Sequence, residues 1–296
     1  MKKIALISVS DKTDVDIFAS KLVSQGYTII STGGTAKFLI SKGIKIVSIS
    51  DFTGFDEILE GRVKTLHPII HAGILAKSKK DIDKLNDSKY SLIDIVVVNL
   101  YPFEKTISNK KSTFTDAIEN IDIGGPTLVR AAAKNYNDVA VVTDPSQYNN
   151  LINEIKINKG CTNIDFRKRL SEEAFGLTAY YETLISNYFN NYNNNIFPNK
   201  KIVCGNLIET LRYGENPHQK AAIYSSKNKL GILQLNGKKL SYNNYNDIFS
   251  ALNLSKMLPK NIGTVIIKHT NPCGVSINKN NIDKCVRAIL SNEMPD

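Results

Sequence analysis

The first fifty residues alternate between short apolar runs and amphipathic runs, with glycines at the joints, and this restricts the fold more than any other feature of the chain. Residues 3–9 (Lys-Ile-Ala-Leu-Ile-Ser-Val) read as a strand. Ser10-Asp11-Lys12-Thr13 offers capping residues before a helix near 13–25, which ends at Gly26. Tyr27–Ile30 is a second strand. Ser31-Thr32-Gly33-Gly34-Thr35 is a tight turn into a helix near 35–42, closed by Gly43, and 44–49 is a third strand. Strands joined by helices through short turns imply parallel β-α-β units.

The pattern resumes downstream. Residues 94–100 and 139–143 read as buried strands, with helices near 113–120 and 125–135 between them. From about 145 to 190 the pattern is helical: Phe166, Leu170, Ala174, Leu177, Tyr181, Leu184 and Ile185 recur at i, i+3 or i+4. Residues 187–201 are Asn-rich, contain Pro198 and lack periodicity, so they read as a linker. Three segments follow: an α/β domain over 1–146, a helical connector and linker over 147–200, and a second α/β unit over 201–296.

The 296 residues leave room for two cores. No apolar run approaches the roughly 20 residues a bilayer span needs. The apolar N-terminus is too short for a signal peptide, and Asp11-Lys12 follows it at once. A cytoplasmic location is expected. Cys161, Cys204, Cys273 and Cys285 form no C-x-x-C pair and no zinc pattern, as for reduced cytosolic thiols. The net charge of +10 is spread along the chain. Its densest pairs, Lys79-Lys80 and Lys110-Lys111, lack interleaved aromatics, which argues against a nucleic-acid stripe.

Residues 61–73 put Arg62, Lys64, Thr65, His67 and His71 into one span bounded by glycines. Either it walls a site for an anion, or it is a basic turn leading into a buried strand. Along a strand, Arg62 and Lys64 share one face and Val63 takes the other. Arg offers a fork for phosphate or carboxylate, and Lys a point charge that can titrate. The H-x-x-x-H spacing of His67 and His71 fits a metal only on a helix, and Pro68 intervenes. Hydrogen-bonded histidines in the wall of the site are the better reading, and no metal is expected.

The Ser31–Thr35 turn lies between strand and helix, where two glycines and free helix N–H groups suit a phosphate. It is neither a P-loop nor G-x-G-x-x-G, and a plain turn competes with that reading. Lys12 strengthens it, because loops after successive strands meet at the carboxyl edge of an α/β sheet. Asn99 and Tyr101 at another strand exit can orient a planar polar ligand. Asp122 precedes a helix carrying Arg130 and Lys134. Lys134 lies about three turns on and need not touch Asp122. In the second unit Lys268-His269 ends a strand beside a Pro-Cys-Gly turn, a candidate proton shuttle with an adjacent ammonium. Cys273 as nucleophile is the rival reading.

Ser-Val-Ser-Asp-Lys-Thr (8–13), Thr-Gly-Gly-Thr (32–35), Gly-Arg-Val-Lys-Thr-Leu-His-Pro (61–68), Asn-Leu-Tyr-Pro-Phe (99–103), Ile-Asp-Ile-Gly-Gly (121–125) and Arg-Ala-Ala-Ala-Lys-Asn (130–135) occur in this order. Together they resemble the bifunctional purine biosynthesis family, which joins IMP cyclohydrolase to AICAR transformylase. Leu-Arg-Tyr-Gly-Glu-Asn-Pro-His-Gln (211–219) and Lys-His-Thr-Asn-Pro-Cys-Gly (268–274) resemble the start of the transformylase part.

The resemblance implies a methylglyoxal-synthase-like parallel-sheet domain, then a helical connector, then the beginning of a cytidine-deaminase-like α/β transformylase domain. The first domain would close 5-formamidoimidazole-4-carboxamide ribotide (FAICAR) to IMP, with no metal or redox cofactor. Ser10, Asp11, Lys12, Thr32, Gly33, Gly34, Thr35, Arg62, Val63, Thr65, Val98, Asn99, Ile123 and Gly124 would hold the nucleotide. Lys134 would donate and accept the proton, assisted by Lys64, Tyr101 and Asp122. The second would move a formyl group from 10-formyltetrahydrofolate to AICAR. There Arg212, Tyr213 and Asn244 would bind AICAR, His269 would be the base and Lys268 would stabilise the transition state. The family's transformylase part runs well beyond Asp296, so this chain is expected to be a fragment or truncated product that keeps cyclohydrolase and lacks transformylase activity. Family members form homodimers. The same fold also serves as a non-catalytic nucleotide-binding regulatory module, the alternative function.

Overall fold

The computed structural model describes residues 3–59, 61–84, 90–226, 229–260 and 262–277. Cys285 lies outside them. The chain divides into two compact units, Met1–Val203 and Cys204–Asp296.

The first unit runs β1 (Lys3–Val9), α1 (Val15–Ser24), β2 (Tyr27–Ser31), α2 (Gly33–Ser41), β3 (Ile46–Ser48), α3 (Ile49–Thr53), α4 (Pro68–Leu75), α5 (Lys79–Asp83), β4 (Ile95–Asn99), α6 (Phe103–Ser108), α7 (Phe114–Glu119), α8 (Gly124–Lys134), β5 (Ala140–Val142), α9 (Tyr148–Ile157) and α10 (Ile164–Tyr192). All five strands are parallel, in the order β3-β2-β1-β4-β5. The central strands carry near-continuous apolar runs because helices cover both faces of a parallel sheet. Ala5, Leu6 and Ile7 of β1 and Val96, Val97 and Val98 of β4 are all buried. The core continues through Leu22 of α1, Val129 and Ala132 of α8, Leu151 of α9 and Ala174 of α10.

The helical segment expected to act as a connector is therefore part of the first unit. Ser171 of α10 donates to the Ala133 carbonyl of α8 at 2.8 Å. α10 also runs six residues, 187–192, into the stretch read as linker. Its Asn-rich end conceals a second aromatic stripe: Tyr188 and Tyr192 both stack on Phe114 of α7, with ring centroids 6.1 and 4.1 Å away. Asparagine has poor helix propensity, but tertiary packing of the aromatics overrides it.

The second unit contains the antiparallel pair β6 (Asn206–Thr210) and β7 (Ala222–Ser225), helix α11 (Tyr242–Ser255), and the antiparallel pair β8 (Gly263–Lys268) and β9 (Asn271–Ile277). Among its described residues only Leu211, Gly214, Ser241 and Tyr245 are buried.

Candidate active site

From β1 the chain winds out through β2 to β3 on one side of the sheet; β4 and β5 lie on the other. The carboxyl ends of β1 and β4 therefore form the topological switch point, where open α/β sheets leave a crevice. A cavity of about 730 Å³ opens there. Its walls come from the exits of β1 (Ser8, Ser10, Lys12), β2 (Thr32, Gly34, Thr35) and β4 (Val98, Asn99, Tyr101), from Gly61–Thr65 without Val63, and from Ile118–Gly125 without Asn120. This volume suits a ligand of nucleotide size.

One corner is prepared for an anion. Thr32 precedes α2 in extended conformation and its side chain does not cap the helix. Its hydroxyl bonds instead to Ser8 Oγ at 2.8 Å. Among the described residues, the N–H groups of Gly33 and Gly34 have no hydrogen-bond partner. They join the positive end of the helix dipole. Thr35 fixes this turn to β1: its hydroxyl accepts from Val9 N at 3.0 Å and donates to Val9 O at 2.9 Å.

Titratable groups share the cavity, and one of them stands at this corner. The Lys64 Nζ lies 3.6 Å from where a Cβ on Gly33 would be and 3.8 Å from one on Gly61. Asp122 Oδ1 accepts from the Gly125 N–H at 2.7 Å. Burial raises the Asp122 carboxyl above its ordinary range, against the lowering effects of Gly125, the Tyr101 backbone and Lys64. Burial also raises the Tyr101 phenol, and the charge of Asp122 adds to this. Added bulk is excluded at the floor: a Cβ on Gly124 would come within 2.8 Å of Thr65 Oγ1.

A methylglyoxal-synthase-like (MGS-like) domain model matches residues 15–127, and the AICARFT/IMPCHase bienzyme model matches residues 132–294, more than half of the chain. The chain belongs to the AICARFT/IMPCHase bienzyme family. It is 47% identical to the bifunctional purine biosynthesis protein PurH of Ruminiclostridium cellulolyticum and 48% identical to that of a Thermoanaerobacter species, over 98% of this chain and 58% of each relative. PurH of Prochlorococcus marinus strain NATL2A is 50% identical over 94% of this chain and 56% of its own length. The chain thus spans somewhat more than half the length of these curated relatives. The crystal structure of ForH matches 64% of this chain over its whole length, with 29% identity and a TM-score of 0.57.

Of the residues that the bienzyme resemblance points to, Ser10, Lys12, Thr32, Gly34, Thr35, Arg62, Lys64, Thr65, Val98, Asn99, Tyr101, Asp122, Ile123 and Gly124 line this one cavity. Gly33 lies against Lys64. Lys134 does not line it. It is the last residue of α8, exposed, whereas the cavity touches the first. At 1.5 Å per residue its backbone is roughly 15 Å along the helix from Gly124. Asp11 turns away as well: its carboxylate accepts from Thr13 N and Oγ1 at 2.9 and 2.7 Å, which lowers its pKa. Arg62 and Lys64 do share the cavity side without Val63, but no extended strand places them. Val63 forms a lone antiparallel bridge with Ile58. Arg62 Nη2 lies 2.5 Å from both oxygens of Glu119, across the cavity wall.

The histidines are not in the wall. His67 caps α4, its Nδ1 accepting from Ile69 N at 3.2 Å. His71 faces a separate shallow groove with Leu75 and Ile82, and burial lowers its pKa. Among the described residues no cluster of His, Cys, Asp or Glu could hold a metal ion, and no helix is long and apolar enough to cross a membrane.

In the second unit, Arg212 Nη2 donates to the neighbouring Tyr213 hydroxyl at 2.9 Å, which lowers the phenol's pKa. Asn244 is engaged in a capping box: its Oδ1 accepts from Ser241 N at 3.0 Å. Lys268 ends β8. His269 and Thr270, both at positive φ, form the hairpin turn, while Pro272, Cys273 and Gly274 belong to β9 and not to a turn. Thr270 N donates to Asp247 Oδ1 at 2.7 Å.

Three residues of the first site were not expected as site residues, although Ser8 opens the 8–13 motif. Ser8 reads as a core position of β1. Glu119 carries no local signal. Tyr181 reads as one more apolar position of the α10 stripe, yet its hydroxyl accepts from the Asp122 N–H at 2.9 Å.

Proposed function

We propose that the first unit closes FAICAR to IMP with loss of water. The observation that supports this best is that Lys64, Tyr101 and Asp122 share one cavity of nucleotide size with an anion-ready helix terminus, the Lys64 ammonium lying beside that terminus. The ribotide phosphate binds at Gly33-Gly34 with Lys12. The heterocycle then lies between Tyr101 and Lys64. The carboxamide nitrogen attacks the formyl carbon and forms the new ring C–N bond. That nitrogen gives up one proton, and the formamide nitrogen gives up the other. Both pass to the former formyl oxygen, which leaves as water. Holding the two reacting atoms together supplies much of the rate, because the reaction is intramolecular. The Lys64 ammonium stabilises the oxygen as charge develops on it. Asp122, with a carboxyl raised by burial, takes the carboxamide proton. In this reading Asp122 takes the proton-transfer role that the resemblance attaches to Lys134, with Lys64 as its electrostatic partner.

A spectroscopic cyclisation assay with FAICAR tests this reading on wild type, Lys64→Ala and Lys134→Ala. Turnover by wild type, its loss in Lys64→Ala and its retention in Lys134→Ala are expected. No turnover by wild type would overturn the function. Normal turnover by Lys64→Ala would remove Lys64 from the chemistry, whereas wild type that binds FAICAR without turning it over would be a ligand-binding module. Loss in a folded Lys134→Ala would return the proton to Lys134.

For the second unit the family supports AICAR as ligand of Arg212 and Tyr213 and 10-formyltetrahydrofolate as formyl donor, with His269 as base and Lys268 beside it. We expect cyclisation without formyl transfer from this chain, because so few described residues of the second unit are buried. Formyl transfer by the purified 296-residue chain would refute that expectation.

A further inference from the structure

We propose that Tyr181 is a positioning residue for the ring-closing site, its hydroxyl setting the turn that carries Asp122. The proposal rests on the ring-closure reading for its kinetic consequence. Its structural content stands on hydrogen bonds alone.

The turn between α7 and α8 holds Asp122 at the cavity wall. Most of its bonds are local: Ile121 N donates to Ile118 O at 3.0 Å, and Gly125 N donates to the Asp122 carboxylate. Among the described residues, the long-range bonds to its backbone both end on one atom. Tyr181 Oη accepts from Asp122 N at 2.9 Å and donates to Asn120 O at 3.1 Å. A hydroxyl can do both at once; few other side-chain groups can. The Tyr181 ring is buried, and its edge meets Phe103 with centroids 6.1 Å apart. Phe103 N donates to Tyr101 O at 2.8 Å. One side chain thereby supports the two loops that carry Asp122 and Tyr101.

This support comes from outside the segment that builds the site. The MGS-like match ends at residue 127, and Tyr181 lies on α10, inside the bienzyme match. On this view α10 is part of the cyclohydrolase site and not a spacer. Displacing a reacting group by about 1 Å can cost about a hundredfold in rate, and leaving the half-buried Asp122 N–H without its partner favours such a shift.

Tyr181→Phe in the whole chain removes only the hydroxyl. Tyr188→Phe is its control. That residue shares the helix and the aromatic cluster, meeting Phe103 edge-on at 5.7 Å. Two readouts are taken: FAICAR cyclisation kinetics, and amide hydrogen exchange at Asp122. For Tyr181→Phe we expect kcat to fall about tenfold with KM within about twofold, and faster exchange at Asp122. For Tyr188→Phe we expect wild-type values. The proposal is overturned by wild-type kcat and exchange in Tyr181→Phe, or by an equal loss in Tyr188→Phe. It is also overturned, with no variant needed, if the Asp122 amide of wild type exchanges as fast as that of Ile123. Absence of turnover in wild type would refute ring closure alone, and the exchange comparison would still decide Tyr181.

Discussion

Asn99 and Asp11 exchange two hydrogen bonds across the switch point of the sheet. Asp11 N donates to Asn99 Oδ1 at 2.9 Å, and Asn99 Nδ2 donates back to Asp11 O at 2.9 Å. Ser10 N adds a third, to the same oxygen, at 2.6 Å. The carboxamide at the end of β4 thus ties down the loop after β1, which carries Lys12. Asn99 shapes the cavity by holding another loop, although a polar side chain at a strand exit suggests direct ligand contact.

Replacing Asn99 with Asp keeps the size, removes the donor to Asp11 O and places a negative charge beside the anion corner. We expect stability to fall by about 1–3 kcal/mol and KM for the ribotide to rise at least about tenfold. Denaturant unfolding and initial-rate kinetics measure the two effects. An unchanged KM would mean that the loop needs no tie.

Gly125 lies against its own turn. A Cβ there would collide with the Asp122 carboxylate and come within 2.9 Å of Leu100 Cδ2. Gly125→Ala is therefore expected to displace Asp122, lowering kcat by about a hundredfold and stability by about 1–3 kcal/mol. Gly34→Ala, where a Cβ meets nothing within 4 Å, should leave stability within about 0.5 kcal/mol of wild type. Equal stability loss in both would show that the collision at Gly125 is not the cause, since helix propensity favours Ala over Gly at either position.

The burial of Asp122 has a pH signature. Its carboxyl is raised by burial in the folded state, so the native chain holds this proton to higher pH than the unfolded chain. Stability from this group is greatest at low pH and is lost as pH rises from the unfolded carboxylate value through the raised native one. Asp122→Asn removes that loss and can still accept from Gly125 N. We expect the variant to melt higher than wild type at pH 7–8, by a margin that shrinks toward pH 4, while turnover falls at least about a hundredfold. Asp94, also raised by burial, is present in both proteins and cancels in the comparison. A variant that melts lower at pH 8 would contradict the sign.

Arg62 reaches the site already engaged with Glu119, so a ligand phosphate has to compete for it. The pair is mostly exposed, with side chains 67% and 52% accessible, and pairs of this kind are worth about 0–1 kcal/mol. Glu119→Gln should lower KM for the ribotide by about threefold without changing the melting temperature. Raised salt should narrow the difference. A higher KM would show that Glu119 orients Arg62 for the ligand.

The parallel architecture was legible because it is written locally. The apolar runs of β1 and β4 and the Thr32–Thr35 turn each depend on a few adjacent residues and on the two periodicities of strand and helix. The caps expected at Ser10–Thr13 do not form, because α1 starts at Val15 after Asp14 with no side-chain cap. The end of α10 was not legible, since the contacts that keep Asn190 and Asn191 helical come from Phe114, more than seventy positions away. The turn at His269 was missed for a similar reason. Pro-Cys-Gly reads as a turn, yet β9 pairs through it with β8, the register slipping between Ile266 and Ile267.

Residue types and short-range spacing were enough for the strand–turn–helix units, the phosphate-ready glycines and the set of polar groups. Which of those groups meet was decided by strand order. Adjacency of β1 and β4 brings residues 8–12 to residues 98–101, and the loops at 61–65 and 118–125 close over them. The same geometry sends Lys134 to the far end of α8 and brings Tyr181 back beneath Asp122. Periodicity reports which face of an element is buried; it contains no information on which distant elements share an edge. That depends on how the helices pack on the sheet, a property of the whole folded unit.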